Sequence, residues 1–400
     1  MFVAVPKRII DTITVLSFLM AKSGEGDEPQ YRVCSSLISS PAAPGAGRIA
    51  LQQEMDMVAH STNQTWLQTT PEVALEPDLP IIDPHHHLWD LRDSATQPRY
   101  LLDEYLDDIA GGHNVVASVF IECGAVYSAS GPEAFRPVGE TEFVNGIAAM
   151  SASGQYGPCQ VAAGIVGCVD LKIGDVSAEV LDRHIEAGGG RFRGIRLGAL
   201  WCADEAVRNH RTNPPEHLLL RDDFRQGFQH LAPRDLSFEV WCCHEQIDEA
   251  TDLARAFPDT TIILDHFGGP LGIGQYAGRQ DEVFEVWKER IGRLAECSNV
   301  YAKLGGLNMD VNGFDWEDRP TAPRSVELTD ATRRYFDFMI GKFGVERCMF
   351  ESNFPVDKLS CSFTNLWNSF KLMTKDMSAD ERRYLFHDTA AKVYRLEASQ

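Results

Sequence analysis

The segment Ile81-Ile82-Asp83-Pro84-His85-His86-His87 ends a short apolar run in three histidines. His85 and His87 flank one residue. On an extended segment, positions i and i+2 face the same side, so both imidazoles reach one point. That is a chelating geometry for one divalent metal, zinc or manganese. Two other readings stay open: a metal-free site in which the rings act as donors and bases, or a pair of hydrogen-bonded core histidines. Further reactive side chains end or interrupt apolar runs in the same way. Glu122 follows VVASVFI, and Arg196 lies in RFRGIRLG. His244 follows LSFEVWCC. His266 follows TTIILD. Lys303 lies inside VYAKLGG. Glu351, Ser352, Asn353 and Asp357 follow RCMF. A lysine within a buried strand must be paired or serve chemistry. Arg196 either holds a carboxylate bidentately or pairs with an internal acid, and for Glu122 too a substrate-binding and an internal role stay open.

These residues need a scaffold that gathers them. From about residue 79 onward, apolar β-branched runs alternate with amphipathic helical stretches. The runs fall at 79–82, 115–121, 161–169, 192–197, 236–242, 260–264, 300–304 and 347–350. Near-continuous apolar runs suit strands buried on both faces, hence a parallel sheet. Helical spacing predicts helices over 177–187, 247–257, 282–297 and 330–343, with a last helix opened by the capping box of Ser378 and Glu381. Eight strand–helix units predict an α/β fold, a single (β/α)8 TIM barrel over 80–400. A doubly wound open sheet is the alternative, but its first turn would carry glycines that cradle phosphate, where this chain has Asp83-Pro84-His85. Barrel active sites sit at the C-terminal ends of the strands. Five of the twelve histidines cluster at three of those predicted ends.

Residues 1–79 read differently, as a mostly disordered, flexible N-terminal extension. An apolar run at 9–21 follows Lys7 and Arg8 and has the layout of a secretory signal with Ala21 as a cleavage point, but it is too short to span a bilayer. The stretch 35–47 is rich in Ser, Pro, Ala and Gly, a composition that cannot offset its ordering entropy. A start at Met55 or Met57 would remove both, and the sequon at Asn63 is a weak signal.

Lys and Arg number 37 against 58 Asp and Glu, a net charge of −21. Such a surface repels phosphate backbones and anionic membranes, so neither nucleic acid nor membrane is an expected partner. A small-molecule substrate is. Ten cysteines without a C-x-x-C pair read as reduced, buried thiols of a cytoplasmic protein.

The stretches IIDPHHHLWD, FPDTTIILDHFGGP, VYAKLGGL and RCMFESNFPVDK occur in that order. Together they resemble the amidohydrolase-related family, in the branch of metal-dependent hydrolases of TIM-barrel fold that includes L-fuconolactonase and 2-pyrone-4,6-dicarboxylate lactonase. The resemblance covers about residues 75–397. It implies that Asp83, His85 and His87 form the family's D-x-H-x-H segment and that His266 is its histidine after the sixth strand. The family's S-D-W-P segment reads Ser352-Asn353-Phe354-Pro355 here, with Asn353 in place of a metal-binding or basic aspartate. An amide accepts no proton from water at neutral pH. Glu351, Asp357 or His244 would then supply the missing function. The implied reaction opens a lactone or related cyclic ester of a small carboxylated substrate. His85 and His87 polarise the carbonyl, His244, His266, Glu351 or Asp357 deprotonates water, and Arg196 and Lys303 hold the substrate carboxylate. Non-oxidative decarboxylation of an aromatic acid, known in the wider family, is the alternative activity, and Asn353 leaves room for a non-catalytic ligand-binding relative. Barrels of this kind often form homodimers.

Overall fold

A computed structural model describes residues 63–90, 99–207 and 212–396. The expectations for 9–21 and 35–47 lie outside the described residues. Eight parallel strands occur in the order of the chain: β1 (Pro80–His86), β2 (Asn114–Ile121), β3 (Gln160–Gly167), β4 (Phe192–Gly198), β5 (Ser237–Trp241), β6 (Ile262–Leu264), β7 (Val300–Leu304) and β8 (Cys348–Phe350). Each pairs with the next. The sheet closes just past β8, where Asn353 N donates to His85 O at 2.9 Å and His87 N donates to Phe354 O at 2.8 Å. Sequence expectation and structure agree on a single (β/α)8 barrel.

Each strand is followed by a helix: α1 (Leu102–Ile109), α2 (Val138–Ala152), α3 (Ser177–Ala187), α4 (Asp222–Phe228), α5 (Ile247–Ala256), α6 (Gln280–Leu294), α7 (Ser325–Phe343) and α8 (Phe363–Met373). Their apolar faces follow from spacing. On α6, Val283, Trp287, Ile291 and Leu294 recur every three or four residues and are buried. α7 begins five residues before its expected start. Its early turn is capped twice: Arg324 N donates to Glu327 Oε2 of the helix itself at 2.9 Å, and Ser325 N donates to Glu72 Oε1 from outside it at 2.9 Å.

Glu72 belongs to a strap that the sequence reading placed in the flexible extension. Among residues 66–76, Trp66 Nε1 donates to Arg319 O at 2.8 Å, Leu75 N donates to Asn368 Oδ1 at 2.8 Å, and Lys371 Nζ donates to Leu75 O at 2.7 Å. The strap is thus tied to α8 and the start of α7. A boundary at 79 cuts it from the barrel that holds it. Polar residues that look like linker find buried acceptors there, which is a tertiary effect.

Strand residues alternate between two cores. Outward side chains such as Ile81, Phe120 and Ile165 pack under the helices. Inward ones, among them Ile82, Val119, Val166, Ile263 and Met349, form a separate interior cluster. The C-terminal helices α9 (Ala379–Arg383) and α10 (Thr389–Val393) close that interior, with Ala390, Val393 and Tyr394 joining it. The capping box that opens α9 is present: Glu381 N donates to Ser378 Oγ, and Ser378 N donates to Glu381 Oε2. The nine described cysteines are free thiols, eight of them buried. No described helix is long and apolar enough to cross a membrane.

His184 on α3 is fully buried. Its Nε2 lies 3.1 Å from the Cys168 carbonyl, which requires a donor there, so Nδ1 accepts from Thr141 Oγ1 at 2.8 Å. The network suits the neutral ring, and burial lowers its pKa from 6.5 to about 4. In the unfolded chain the ring gains a proton below about pH 6.5, and in the fold only below about 4. The contribution is therefore complete above pH 6.5 and lost as pH falls toward 4. It amounts to about 3 kcal/mol. The melting temperature is expected to drop over that window, and to drop less in His184→Gln. An equal slope in the variant would remove His184 as a cause.

Candidate active site

Strand period carries the interior cluster upward into charge. Two residues beyond Ile263 is Asp265, two beyond Tyr301 is Lys303, and two beyond Met349 is Glu351. In a strand, i and i+2 share a face, so all three belong to the inward set. All three are fully buried, as is Glu239 on β5. His85 and His87 enter from the end of β1, Arg196 from β4 and His266 from just after β6.

Lys303 Nζ lies 2.6 Å from Glu239 Oε2, 3.5 Å from Asp265 Oδ1 and 4.0 Å from Glu351 Oε2. Burial works to lower the lysine pKa, but Glu239, Asp265 and Glu351 outweigh it, and the ammonium stays charged. Tyr394 OH donates to the other oxygen of Glu239 at 2.5 Å. Arg196 is pinned in the same manner. Its Nε donates to Glu122 Oε1 at 2.9 Å, and its Nη2 donates to Glu122 O. Its Nη1 reaches His85 Nε2 at 3.3 Å and lies 3.8 Å from Asp265 Oδ2. Sequence reasoning assigned Arg196 and Lys303 to a substrate carboxylate. The structure meets both with internal carboxylates.

Glu351 sits between two imidazoles. His266 Nδ1 donates to its Oε1 at 2.7 Å, and His85 Nδ1 is 2.7 Å from its Oε2. Lys303 Nζ also lies 3.2 Å from His85 Nδ1, so both ring nitrogens of His85 face cations, and Glu351 Oε2 is left without a hydrogen bond. Burial first, and then Lys303 and the neighbouring histidines, lower the His85 pKa and keep that ring neutral. Of the carboxylates proposed to compensate for Asn353, Glu351 is the one in contact with the histidines.

Two glycines make this approach feasible. A Cβ on Gly305 would collide with Glu351, and one on Gly306, where φ is +74°, would collide with the His266 ring. His266 itself has φ of 51° and Asn353 has φ of 55°. Non-glycine residues persist in that region only where their surroundings over-determine them.

The other sequence candidates fall nearby or elsewhere. His87 Nδ1 bonds the Ile121 carbonyl at 2.8 Å, which leaves Nε2 as its acceptor atom. Asn353 Nδ2 donates to Asp357 Oδ1 at 2.9 Å, and burial pushes Asp357 up to about 7. Asp83 accepts from Ser352 N and Oγ and from Tyr105 OH, so it ties β1 to the segment after β8. His244 stands apart: its Nδ1 accepts from Leu271 N at 3.4 Å and its ring meets Tyr276 edge-on. Asp265 and Glu239 received no role from the sequence. Glu239 carries the same signal as Lys303, an ionisable residue inside an apolar strand.

The ligand atoms of His85, Asp265 and His266 lie within 4.8 Å of one another. Neither buried oxygen of Asp265 has a hydrogen bond. In the surrounding network four carboxylates, Glu122, Glu239, Asp265 and Glu351, face two cations, Arg196 and Lys303. A divalent ion would balance that excess and occupy the open oxygens. The residues present therefore fit such an ion, with Asp265 and His266 joining His85 where the sequence suggested His87.

Lys303→Met is expected to cost about 3–5 kcal/mol, because it strands buried carboxylates without their cation. Lys303→Met combined with Glu239→Met should recover part of that loss in denaturant unfolding. A double variant no more stable than the single one would show that Glu239 and Lys303 do not act as a unit.

Comparison with known proteins identifies the family. The amidohydrolase family model matches residues 82–396. The protein y4mH of Sinorhizobium fredii is 34% identical over 337 residues, covering 80% of this chain and 99% of that one. L-fucono-1,5-lactonase of Burkholderia multivorans is 26% identical, covering 79% of this chain and 96% of that one. A zinc-bound amidohydrolase structure from Burkholderia multivorans superposes with a TM-score of 0.61 at 22% identity, covering 79% of this chain and 99% of that one. The chain belongs to the amidohydrolase family and is a hydrolase.

Proposed function

We propose that the chain opens a lactone or a related cyclic ester by attack of water. The observation that carries this reading is Asp265, a buried carboxylate with two oxygens free of hydrogen bonds, set against His85 and His266. The likeness to a lactonase supports the substrate class. Where sequence reasoning added a carboxylate to the substrate, the internal pairing of Arg196 and Lys303 leaves the reading without that requirement.

His85, Asp265 and His266 would hold a divalent ion, zinc or manganese. Such an ion polarises the ring carbonyl and acidifies water when bound. Asp265 receives the proton of the attacking water. Arg196 Nη1 and Lys303 Nζ, within 4 Å of Asp265, stand where negative charge develops on the carbonyl oxygen and stabilise it. Glu351 holds the His266 ring in orientation through Nδ1, and Lys303 lies against Nδ1 of His85. Asp357, which burial pushes up to about 7, would supply a proton to the departing ring oxygen from its protonated fraction.

Two measurements test this. Elemental mass spectrometry of chain purified without added metal or chelator should find about one equivalent of zinc or manganese, lost in Asp265→Asn and retained in His244→Asn. A panel of sugar and dicarboxylate lactones should show ring opening that falls by about 10²–10⁴-fold in Asp265→Asn with folding intact. Carbon dioxide release from aromatic acids in place of ring opening would select decarboxylation. Ligand-induced thermal shifts without turnover would select a binding protein.

A further inference from the structure

A cavity of about 630 Å³ opens at the other end of the barrel from the charged cluster. It lies between the end of α2, the starts of β3 and β4, and the residues after α10. Three arginines line it, Arg191, Arg193 and Arg395, and among the described residues no Asp or Glu does. In a chain of net charge −21, this concentration of cations needs an explanation. The mouths of strand N-termini in barrels ordinarily serve stability, and three like charges around one space work against it.

The guanidiniums are held in place but not used up. Arg193 Nε donates to Tyr394 O at 2.5 Å, and its Nη1 donates to Gly190 O at 2.7 Å. Arg191 Nη1 donates to Asn145 Oδ1 at 2.8 Å. Arg395 Nε is 3.4 Å from Asp235 Oδ2, which is largely exposed and outside the lining. Among the described residues, Nη2 of Arg191 and of Arg193 has no protein acceptor. Burial, and then Arg395 and Arg191, lower the Arg193 pKa, with Asp235 opposing them. Rigid forks with spare donors, around a space large enough for a small metabolite, match the planar oxygens of carboxylates and phosphates.

We propose that this cavity binds a small oxyanion of two or more negative charges, a phosphate ester or a polycarboxylate, through Arg191, Arg193 and Arg395. The site is separate from the Asp265 cluster. It has one material link to it, because the Tyr394 whose carbonyl is held by Arg193 also donates its hydroxyl to Glu239.

The test is calorimetric titration of the full chain, at constant ionic strength, with inorganic phosphate and separately with tricarballylate. The two arms distinguish a phosphate from a carboxylate ligand. Saturable binding of one equivalent of either is expected. Arg191→Gln and Arg395→Gln should each weaken it about tenfold or more, the loss of one charge-assisted contact. Arg191→Lys, which keeps the charge and loses the fork, should weaken it less and serves if the glutamine variant misfolds. His85→Asn should leave it unchanged. Absence of saturable binding by both ions, binding indifferent to the arginine substitutions, or binding abolished by His85→Asn would each overturn the proposal.

Discussion

An ammonium buried at the centre of a closed barrel must be met by carboxylates, and the rest of this site follows from how Lys303 is met. Isolated, it would shed its proton. Glu239 from β5, Asp265 from the end of β6 and Glu351 from the end of β8 surround it. Each of those carboxylates then has its own obligations. Glu239 takes a hydrogen bond from Tyr394 beneath, and Glu351 takes one from the His266 imidazole and lies 2.7 Å from Nδ1 of His85. Asp265 is left with ion-pair neighbours and no hydrogen bond. Desolvation makes every member of such a network expensive to leave alone, so the set stands or falls together.

Glu351, two residues before Asn353, is the carboxylate set against His85 and His266. Gly305 and Gly306 have no side chains because Glu351 and His266 occupy the space a Cβ would take. Asn353 takes a different part. Its backbone helps close the sheet against His85, and its amide supports Asp357.

The barrel is polarised along its axis. Carboxylates and histidines gather at the C-terminal strand ends, an apolar plug of Ile82, Val119, Ile263, Met349 and Val393 fills the middle, and arginines line the cavity at the far end. Tyr394 touches all three layers, with its ring in the plug, its hydroxyl on Glu239 and its carbonyl on Arg193. The C-terminal turn is thus part of the support for the site, though it lies far along the chain from every histidine in it.

Strand positions, the fold class and the end of the barrel that carries the chemistry were legible in the sequence, because apolar periodicity is a local property and strand ends follow from it. β7 spans the predicted residues, and α3 does too. His85, His266, Lys303 and Glu351 were recognisable as ionisable groups where an apolar run should continue or stop. What the tertiary structure alone decided is pairing. Whether Arg196 faces Glu122 or a substrate depends on which residues adjoining strands bring alongside. Whether His244 joins the cluster or turns to Tyr276 depends on the path of one loop. One of the two caps at the start of α7 is Glu72, from a segment some 250 residues away. The basic cavity is invisible in the chain because Arg191 and Arg193 meet Arg395 only when α10 seals the barrel. Long-range pairing is set by register and closure, and neither leaves a mark on neighbouring residues.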